Sequence, residues 1–240
     1  MDVDYSVIVP AYNEAAWLPA TLAALKAAMV VLPLRGEIIV TDNNSTDTTA
    51  EIAERSGVRV VFEPVNQISR ARNAGARVAR GRYLVFVDAD TIIPPALLER
   101  ALDNLESGRC VGGGSVVRFE KEVKRSVHYV VALWNLLSRA LHLAAGCFFY
   151  CTRRDFVEAG GFSEAVYATE EIWLSRTLLK LGRQQGKRFC IIHRVAAQSS
   201  ARKIGWYSTW QHVGLILMLV FAPFFVRYRR FCNYWYDRPQ

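Results

Sequence analysis

The sequence lacks several features that identify a class of protein directly. Its five cysteines, at positions 110, 147, 151, 190 and 232, form no Cys-x-x-Cys pair of the kind that binds metal. Their number is odd, which favours reduced thiols and a cytoplasmic setting. An apparent strand begins within a few residues of Met1, so we expect no signal peptide. There are no internal repeats and no low-complexity linker, and we predict one domain over residues 1–203.

The sequence also lacks an apolar run long enough to span a bilayer. The apolar stretch at residues 213–226 falls short of the roughly 20 residues that a spanning helix needs. Aromatic residues and arginines flank it, as in a helix that lies in the interface of an anionic membrane. The alternative is a hydrophobic helix packed on the domain or on a dimer partner. Residues 204–240 are therefore predicted to form a C-terminal appendage.

Charge and composition narrow the choice of partner. The formal net charge is +8, which favours an anionic partner such as a nucleotide phosphate, a phospholipid headgroup or a nucleic acid. The basic residues are scattered and interleave with no RNA or DNA signature, so we expect no nucleic-acid partner. Hydrophobic residues make up 52% of the chain, which excludes a disordered polymer.

Strands and helices alternate through about residue 100. Apolar segments of β-forming residues recur at positions 5–9, 37–41, 58–62 and 83–87, with helical patterns at 15–31, near 50 and at 69–80. This alternation predicts an α/β fold whose mostly parallel sheet is flanked by helices. Ligands bind beyond the carboxyl ends of such strands. Tyr12, Asp42, Asp88 and Asp90 lie at those ends and should converge in one cleft.

The second half of the chain has a different pattern. We predict a flexible turn at residues 112–115 before a short strand at 116–119, and a long, largely apolar helix over 121–143. Further elements are a strand at 146–150, a helix at 153–159 and a helix from 169 to about 181.

Two acids end the strand at residues 83–87. Asp88 and Asp90 are separated only by the small Ala89. Carboxylates held together at the edge of a sheet suit a hard cation such as Mg²⁺ or Mn²⁺, which usually binds together with phosphates. In the alternative interpretation, the acids form a turn and cap the next helix.

Four segments, in this order, carry a resemblance to a known family. They are residues 9–14 (VPAYNE), 40–47 (VTDNNSTD), 71–75 (ARNAG) and 86–90 (FVDAD). Together they closely resemble family 2 glycosyltransferases of the GT-A fold. The match is dense over residues 4 to about 100 and weaker to about 182.

The resemblance implies a site for a nucleotide-diphosphate sugar. The loop after the first strand holds the nucleotide in that family, which assigns base and ribose contacts to Pro10, Ala11, Tyr12 and Glu14. The acid after the second strand, Asp42, would bind the edge of a uracil or similar ring. Its alternative role is helix capping, for which Asp47 or Thr48 is better placed.

The resemblance also implies a diphosphate and metal site. Arg72 would lie near the diphosphate, where a cationic fork fits phosphate oxygens, although a solvated helix face is the simpler alternative for arginines on this helix. Asp90 would coordinate Mg²⁺ or Mn²⁺, and Asp88 would contact the ribose or a metal-bound water. Ala89 would let the donor approach the backbone. His193 lies in an apolar, strand-like segment, and we interpret it as structural rather than as a metal ligand.

A catalytic base is implied near the start of a late helix. In the family it is an acid after a Gly-Gly-Phe segment, and here residues 160–162 (GGF) precede Glu170 and Glu171. The second acid, Glu171, is our assignment, although the family usually has aspartate there and Glu170 competes. Both acids also suit a helix N-terminus for electrostatic reasons alone. A single base implies inversion at the anomeric carbon. Arg202 is placed in a loop that could close over the diphosphate.

The resemblance thus implies an enzyme, a metal-dependent inverting transferase. It would move a sugar from a nucleotide-diphosphate donor, with UDP favoured, to a hydroxyl on a lipid-linked or envelope glycan. We expect it at the inner face of a membrane. One alternative is a sugar nucleotidyltransferase, but the chain lacks the Gly-rich phosphate loop of those enzymes after its first strand. The other is a non-catalytic protein that binds nucleotide sugars at a membrane.

Overall fold

The computed structural model describes residues 3–119, 125–202, 223–232 and 236. Its strands are β1 (Tyr5–Ala11), β2 (Gly36–Asp42), β3 (Arg59–Phe62), β4 (Tyr83–Val87), β5 (Thr91–Ile92), β6 (Cys110–Phe119), β7 (Phe148–Thr152) and β8 (Arg188–Ser199). Its helices are α1 (Leu18–Val30), α2 (Thr49–Arg55), α3 (Ile68–Val78), α4 (Pro95–Glu106), α5 (Arg125–Leu141), α6 (Arg153–Glu158) and α7 (Glu170–Gln184).

The strands form one mixed sheet in the order β3-β2-β1-β4-β7-β6-β8-β5. The first half is parallel, as its alternation with helices predicts: β1 pairs with β2 and β4, and β2 pairs with β3. Strand β7 runs antiparallel between β4 and β6, and β6 is parallel to β8. The carboxyl ends of β1, β2, β4, β6 and β8 therefore lie along one edge of the sheet.

The central strands are buried on both faces, which explains their continuous apolar sequences. Every residue of β1 and of β4 is buried. Val7 and Val85 pack in a cluster with α1 and α4 on one face. Ile8 and Phe86 pack in a second cluster, with α6 and α7, on the other. Because side chains alternate along a strand, each central strand contributes residues to both hydrophobic clusters.

The three glycines at 112–114 lie inside β6, so the prediction of a flexible turn there is wrong. The strand runs between β7 and β8 with its backbone close to both neighbours. A Cβ atom at Gly113 would overlap the carbonyl oxygen of Cys190, and one at Gly114 would come within 2.6 Å of the Ala144 Cβ. Glycine is therefore needed for close approach at this place rather than for flexibility.

The cysteines differ in part from the expectation of reduced thiols. Cys110 and Cys190, 80 residues apart, form a disulfide. The reason is topological: β6 and β8 are parallel neighbours, and each carries one of these cysteines near its start. Cys147, Cys151 and Cys232 are free thiols.

Most of the predicted C-terminal helix lies outside the described residues. The described remainder forms short 3₁₀ turns at Pro223–Arg227 and Arg229–Phe231. Val226 and Tyr236 pack against Val166 and Ala168, and the Val226 carbonyl accepts a hydrogen bond of 2.7 Å from the Tyr167 amide. This part of the appendage packs on the domain. Across the described ranges, none of the helices has the length and hydropathy that crossing a bilayer requires. The boundary at residue 203 stays a prediction.

Substituting Gly113 tests its place in the strand. We expect Gly113→Ala to lower the free energy of unfolding by roughly 3 kcal/mol, because the added methyl group overlaps backbone on β8. Urea denaturation followed by circular dichroism measures the change. Gly57→Asn is the control, since Gly57 has open space around it and a φ of +68° that asparagine tolerates. Equal stability of the two variants would contradict the placement of Gly113.

Candidate active site

The loops after β1 and β2 are fastened together at the edge of the sheet. Asn13 adopts a left-handed backbone conformation, with a φ of 52°. Its side-chain oxygen accepts hydrogen bonds from the amides of Thr46, at 2.7 Å, and Asp47, at 3.3 Å. Its own amide donates to the Ser45 hydroxyl, at 3.0 Å. Asn13 thus fixes the two loops to which sequence reasoning assigned the nucleotide, a role that sequence reasoning missed.

The predicted nucleotide residues lie side by side on this edge. Ala11 pairs in register with Asp42, and Asp42 is buried, with one carboxylate oxygen accepting from the Ser45 amide at 3.2 Å. Asp47 accepts from the Thr49 amide at 3.0 Å. Asp47 therefore bonds the first amide of α2 from the position before the N-cap Thr48, which makes no side-chain capping bond, and the carboxylate of Asp42 is not used for that purpose. Pro10 is buried in β1, Tyr12 is half-buried and Glu14 is buried.

The two acids after β4 point to different partners. Asp88 accepts a hydrogen bond of 2.8 Å from Nη2 of Arg72. Asp90 accepts one of 2.9 Å from the Ser200 hydroxyl and lies 3.0 Å from Nη2 of Arg202. Ala89 between them is buried, and its carbonyl accepts from the hydroxyl of Thr21. Both carboxylates therefore lie at the end of β4, and neither caps the next helix, α4.

Arg202 connects the metal-type acid to the nucleotide loop. Its guanidinium is bonded to Glu14 and to Asp90 and lies over the ring of Trp17, 5.5 Å from the centroid. The sequence predicts this residue in a loop able to close over a diphosphate, and that contact stays a prediction. In the structure it bridges two carboxylates across the cleft instead. Sequence spacing gave no sign of this contact, because 188 residues separate Arg202 from Glu14.

Arg72 is buried at the centre of the site. Its side chain is 1% exposed, so a solvated helix face is wrong for Arg72. Arg77 on the same helix and Arg80 just beyond its end are exposed. Arg72 donates to Asp88 and to the Gly146 carbonyl, each at 2.8 Å, and to Glu170. Its contact with a diphosphate stays a prediction, since these three bonds are all internal.

The charge of Arg72 is set by its two acids. Burial alone would lower the pKa of the Arg72 guanidinium, but Asp88 and Glu170 more than offset this effect and raise it. The guanidinium lies over the ring of Phe162, 5.1 Å from its centroid. The neighbouring Asn73 side chain exchanges two hydrogen bonds with the Phe162 backbone, at 2.9 and 3.0 Å. The Gly-Gly-Phe segment thus packs directly against the Ala-Arg-Asn segment.

Glu170 and Glu171 begin α7 and have different environments. Glu170 is buried and hydrogen-bonded to Arg72. Burial raises the pKa of Glu170, and Arg72 opposes the rise. Glu171 is half-buried, and in the described part of the chain no ion pair involves it. Burial, followed by the negative charge of Glu170, raises the pKa of Glu171 to about 8. A carboxyl of this kind is suited to accept a proton near neutral pH.

Gly146 separates the arginine from the proposed base. A Cβ atom at this position would lie 3.1 Å from Nη2 of Arg72 and 3.6 Å from the carboxyl carbon of Glu171. Glu171 therefore lies within a few ångströms of the cluster formed by Arg72, Asp88 and Glu170. Sequence reasoning missed Gly146, since only the fold brings the loop before β7 to this cluster.

The donor set fits a hard cation that arrives with phosphates. Within the described ranges, no group of three or more His, Cys, Asp or Glu residues is placed to hold a metal. His193 is exposed and lines a cavity with Arg139 and His142, so it does not complete a site with the aspartates. Mg²⁺ is commonly held by one or two carboxylates, with phosphates and water completing its octahedron. Asp88 and Asp90 match that requirement.

Comparison with known proteins identifies the family. Residues 6–163 match the sequence model of glycosyl transferase family 2. The chain belongs to this family. An undecaprenyl-phosphate 4-deoxy-4-formamido-L-arabinose transferase of Pseudomonas aeruginosa is 33% identical over 165 residues, which cover 64% of this chain and 48% of that protein. The chain thus spans about half the length of this relative.

Solved structures of similar shape confirm the GT-A fold. A mannosyltransferase from Pyrobaculum calidifontis, in complex with GDP-mannose and Mn²⁺, superposes with a TM-score of 0.66 at 23% identity, covering 84% of this chain and 58% of that one. A glucosyl-3-phosphoglycerate synthase from Mycobacterium tuberculosis, with Mn²⁺, UDP and phosphoglyceric acid, gives 0.62 at 21% identity, covering 94% and 78%.

Removing the buried guanidinium of Arg72 tests how much it contributes to the stability of the fold. Arg72→Met should lower the free energy of unfolding by roughly 3–5 kcal/mol, because it leaves the buried Glu170 and the half-buried Asp88 without their cation. Denaturant titration at pH 7 measures this loss. Arg77→Met is the matched control on the same helix: Arg77 is 62% exposed, and its loss should cost less than about 1 kcal/mol. Similar losses in the two variants would show that Arg72 does not hold the site together.

Proposed function

We propose that this protein is a metal-dependent, inverting glycosyltransferase that uses a nucleotide-diphosphate sugar. The observation that carries the proposal is the convergence of Asp88, Asp90 and Glu171 at one edge of the sheet. Two of these carboxylates follow β4, and the third begins α7. A cation-binding pair on one side and a proton acceptor on the other are the two components that sugar transfer from a diphosphate requires.

The donor would occupy the cleft beyond β1, β2 and β4. Pro10, Ala11, Tyr12 and Glu14 would contact the base and ribose, and Asp42 would bind the edge of the base. Asn13 joins the loops after β1 and β2 by hydrogen bonds. This supports the assignment, because rigid loops lose little conformational entropy when a nucleotide binds. UDP is the favoured nucleotide. Solved relatives of the fold hold UDP and GDP-mannose, so the base is the least constrained part of the donor.

The cation would be held by Asp90, with Asp88 bound to the ribose or to a metal-bound water. A bound Mg²⁺ or Mn²⁺ would neutralise the charge that develops on the departing nucleoside diphosphate. Arg202 occupies the space between Asp90 and Glu14, so donor binding would require it to give up or share its carboxylates. Its guanidinium is then available for a phosphate oxygen. Ala89 would let the donor lie close to the backbone.

Glu171 would take the proton from the acceptor hydroxyl. Its raised pKa supports this role, because a base with a pKa near the working pH transfers protons most effectively. Glu170 is a poorer candidate, since its carboxylate is buried against Arg72. With one available carboxylate, attack would occur opposite the leaving diphosphate. The product would have inverted configuration at the anomeric carbon.

The acceptor would be a hydroxyl on a lipid-linked or envelope glycan, and the protein would work at the inner face of a membrane. The name of the Pseudomonas relative includes undecaprenyl phosphate, which supports a lipid-linked substrate. The identity of the sugar and the detailed acceptor depend on side chains of the cleft that motifs do not specify.

A donor screen with two site variants tests the proposal. Purified protein with Mn²⁺ should be stabilised against heat by a nucleotide sugar and should transfer or hydrolyse the sugar, and omission of the metal should abolish this. Asp90→Asn should lose both donor stabilisation and turnover. Glu171→Gln should keep donor stabilisation and lose turnover by at least about 100-fold.

Exposed acids supply the controls for this screen. Asp103→Asn on α4 and Glu158→Gln on α6 should behave as the unmodified protein does. Full turnover by Asp90→Asn would contradict the metal assignment, and full turnover by Glu171→Gln would contradict the base. Pyrophosphate exchange without sugar transfer would identify a nucleotidyltransferase instead.

A further inference from the structure

Helix α5 turns its apolar side outward. Tyr129, Leu133 and Leu136 are 75%, 57% and 60% exposed, respectively. The same side also carries the exposed residues Val130, Leu137 and Leu141. These positions recur every three or four residues, as on one side of a helix. A soluble domain rarely presents a contiguous group of large apolar side chains without an interaction partner.

The inward side of the same helix carries two hydrogen-bonded polar residues, beside the half-buried Val131 and Trp134. The Asn135 side chain exchanges two hydrogen bonds with the backbone of Val117 in β6, both at 2.9 Å. Ser138 is fully buried and donates to the Leu143 carbonyl at 2.6 Å. The Asn135 bonds attach the helix to β6, and the Ser138 bond joins the helix to the loop that follows it; neither uses a leucine side chain of the helix. The helix therefore has apolar residues on its outward side that are not part of the core of the domain.

Basic side chains surround the C-terminal end of this apolar side. Arg139 of α5 lines a cavity of about 600 Å³ together with Arg183, Lys187 and Arg188. Two histidines, His142 and His193, also line it. Among the described residues that form this cavity, none is acidic. Lys187 also borders a second cavity, of about 920 Å³, which Arg153 and Arg154 line as well. Asp4 and Asp155 also line the second cavity, so the purely basic lining is that of the cavity at the end of α5.

We propose that the apolar side of α5 and the basic cavity at its end form a docking surface for an anionic lipid bilayer. The leucines and Tyr129 would enter the boundary between headgroups and acyl chains, with the helix lying in the plane of the interface. Arg139, Arg183 and Arg188 would bind headgroup phosphates, since basic side chains near an anionic surface add to the affinity.

Charge distinguishes a bilayer from a second copy of the chain. Two copies that met through this face with parallel helices would bring two arginine-rich borders together, and like charges across an interface oppose association. An anionic bilayer has the complementary charge and accepts the leucines as well. An apolar helix beside a cavity whose described lining is basic and holds no acid therefore matches a lipid surface better than it matches itself.

The position of α5 connects this surface to the cleft. The loop that follows α5 carries Gly146, whose carbonyl binds Arg72 and whose Cα lies beside Glu171. A bilayer docked on α5 would thus lie close to the proposed base. The inference extends the proposed membrane location, but lipid binding itself does not require the transferase reaction.

Vesicle flotation without donor or metal tests the docking surface. Full-length protein should bind vesicles of phosphatidylcholine with 30% phosphatidylglycerol at least about tenfold more strongly than pure phosphatidylcholine, and high salt should weaken this binding. Leu133→Glu/Leu136→Glu should reduce binding at least about tenfold. Arg183→Ala/Arg188→Ala should remove most of the preference for the anionic lipid.

Matched controls place the effect on α5. Val30→Glu/Val31→Glu alters two exposed valines at the end of α1, and Arg55→Ala removes a 77% exposed arginine; neither should change binding. Unchanged binding in the α5 variants would overturn the proposal, because another segment, such as residues 203–222, would then carry the membrane contact. A dimer by light scattering that Leu133→Glu/Leu136→Glu dissolves would overturn it in favour of a second copy. Each variant's thermal unfolding verifies that it is folded.

Discussion

A buried guanidinium holds the active-site edge of this protein together. Arg72 extends from α3 to Asp88 after β4, to the Gly146 carbonyl before β7 and to Glu170 at the start of α7. A charge buried to this extent is tolerated only when it is paired and hydrogen-bonded. The two acids that pair with it are thereby fixed in place, and neither is available as a mobile base. Glu171 follows Glu170 in the sequence. Its partial burial and the negative charge of Glu170 raise its pKa.

The parts of the fold that sequence reasoning predicted are those that local pattern determines. Strand β4 has the predicted bounds, because a run of apolar β-formers between Gly81 and two acids has one simple interpretation. The parallel pairing among strands β1, β2, β3 and β4 follows from their alternation with helices. The glycines of β6 were misassigned, since glycine carries no side chain to show periodicity. Only the closeness of β7 and β8 explains them, and that is a property of the folded sheet.

The residues of the site likewise divide into those that local sequence predicts and those that it does not. The acids at the ends of β2 and β4 were predictable because strand ends share an edge. The partners of Arg72 were not, since Glu170 is 98 residues away in sequence, and no local spacing encodes such a pair. The outward apolar side of α5 was also missed: its apolar residues are spaced as on any amphipathic helix, and only the contact of Asn135 with β6 and the exposure of the leucines reveal which side faces outward.

The pKa of Glu171 tests most directly whether the ion pairs of Arg72 with Asp88 and Glu170 leave Glu171 as the base of the site. Carbon-13 NMR of the glutamate carboxyls follows it, with the Glu171 resonance identified by its loss in Glu171→Gln. Burial and the charge of Glu170 predict a titration midpoint near pH 8, in accord with a pKa of about 8. A midpoint near the usual glutamate value of about 4.3 would mean that the carboxyl is solvated and unaffected by its neighbours, which would contradict this account of the site.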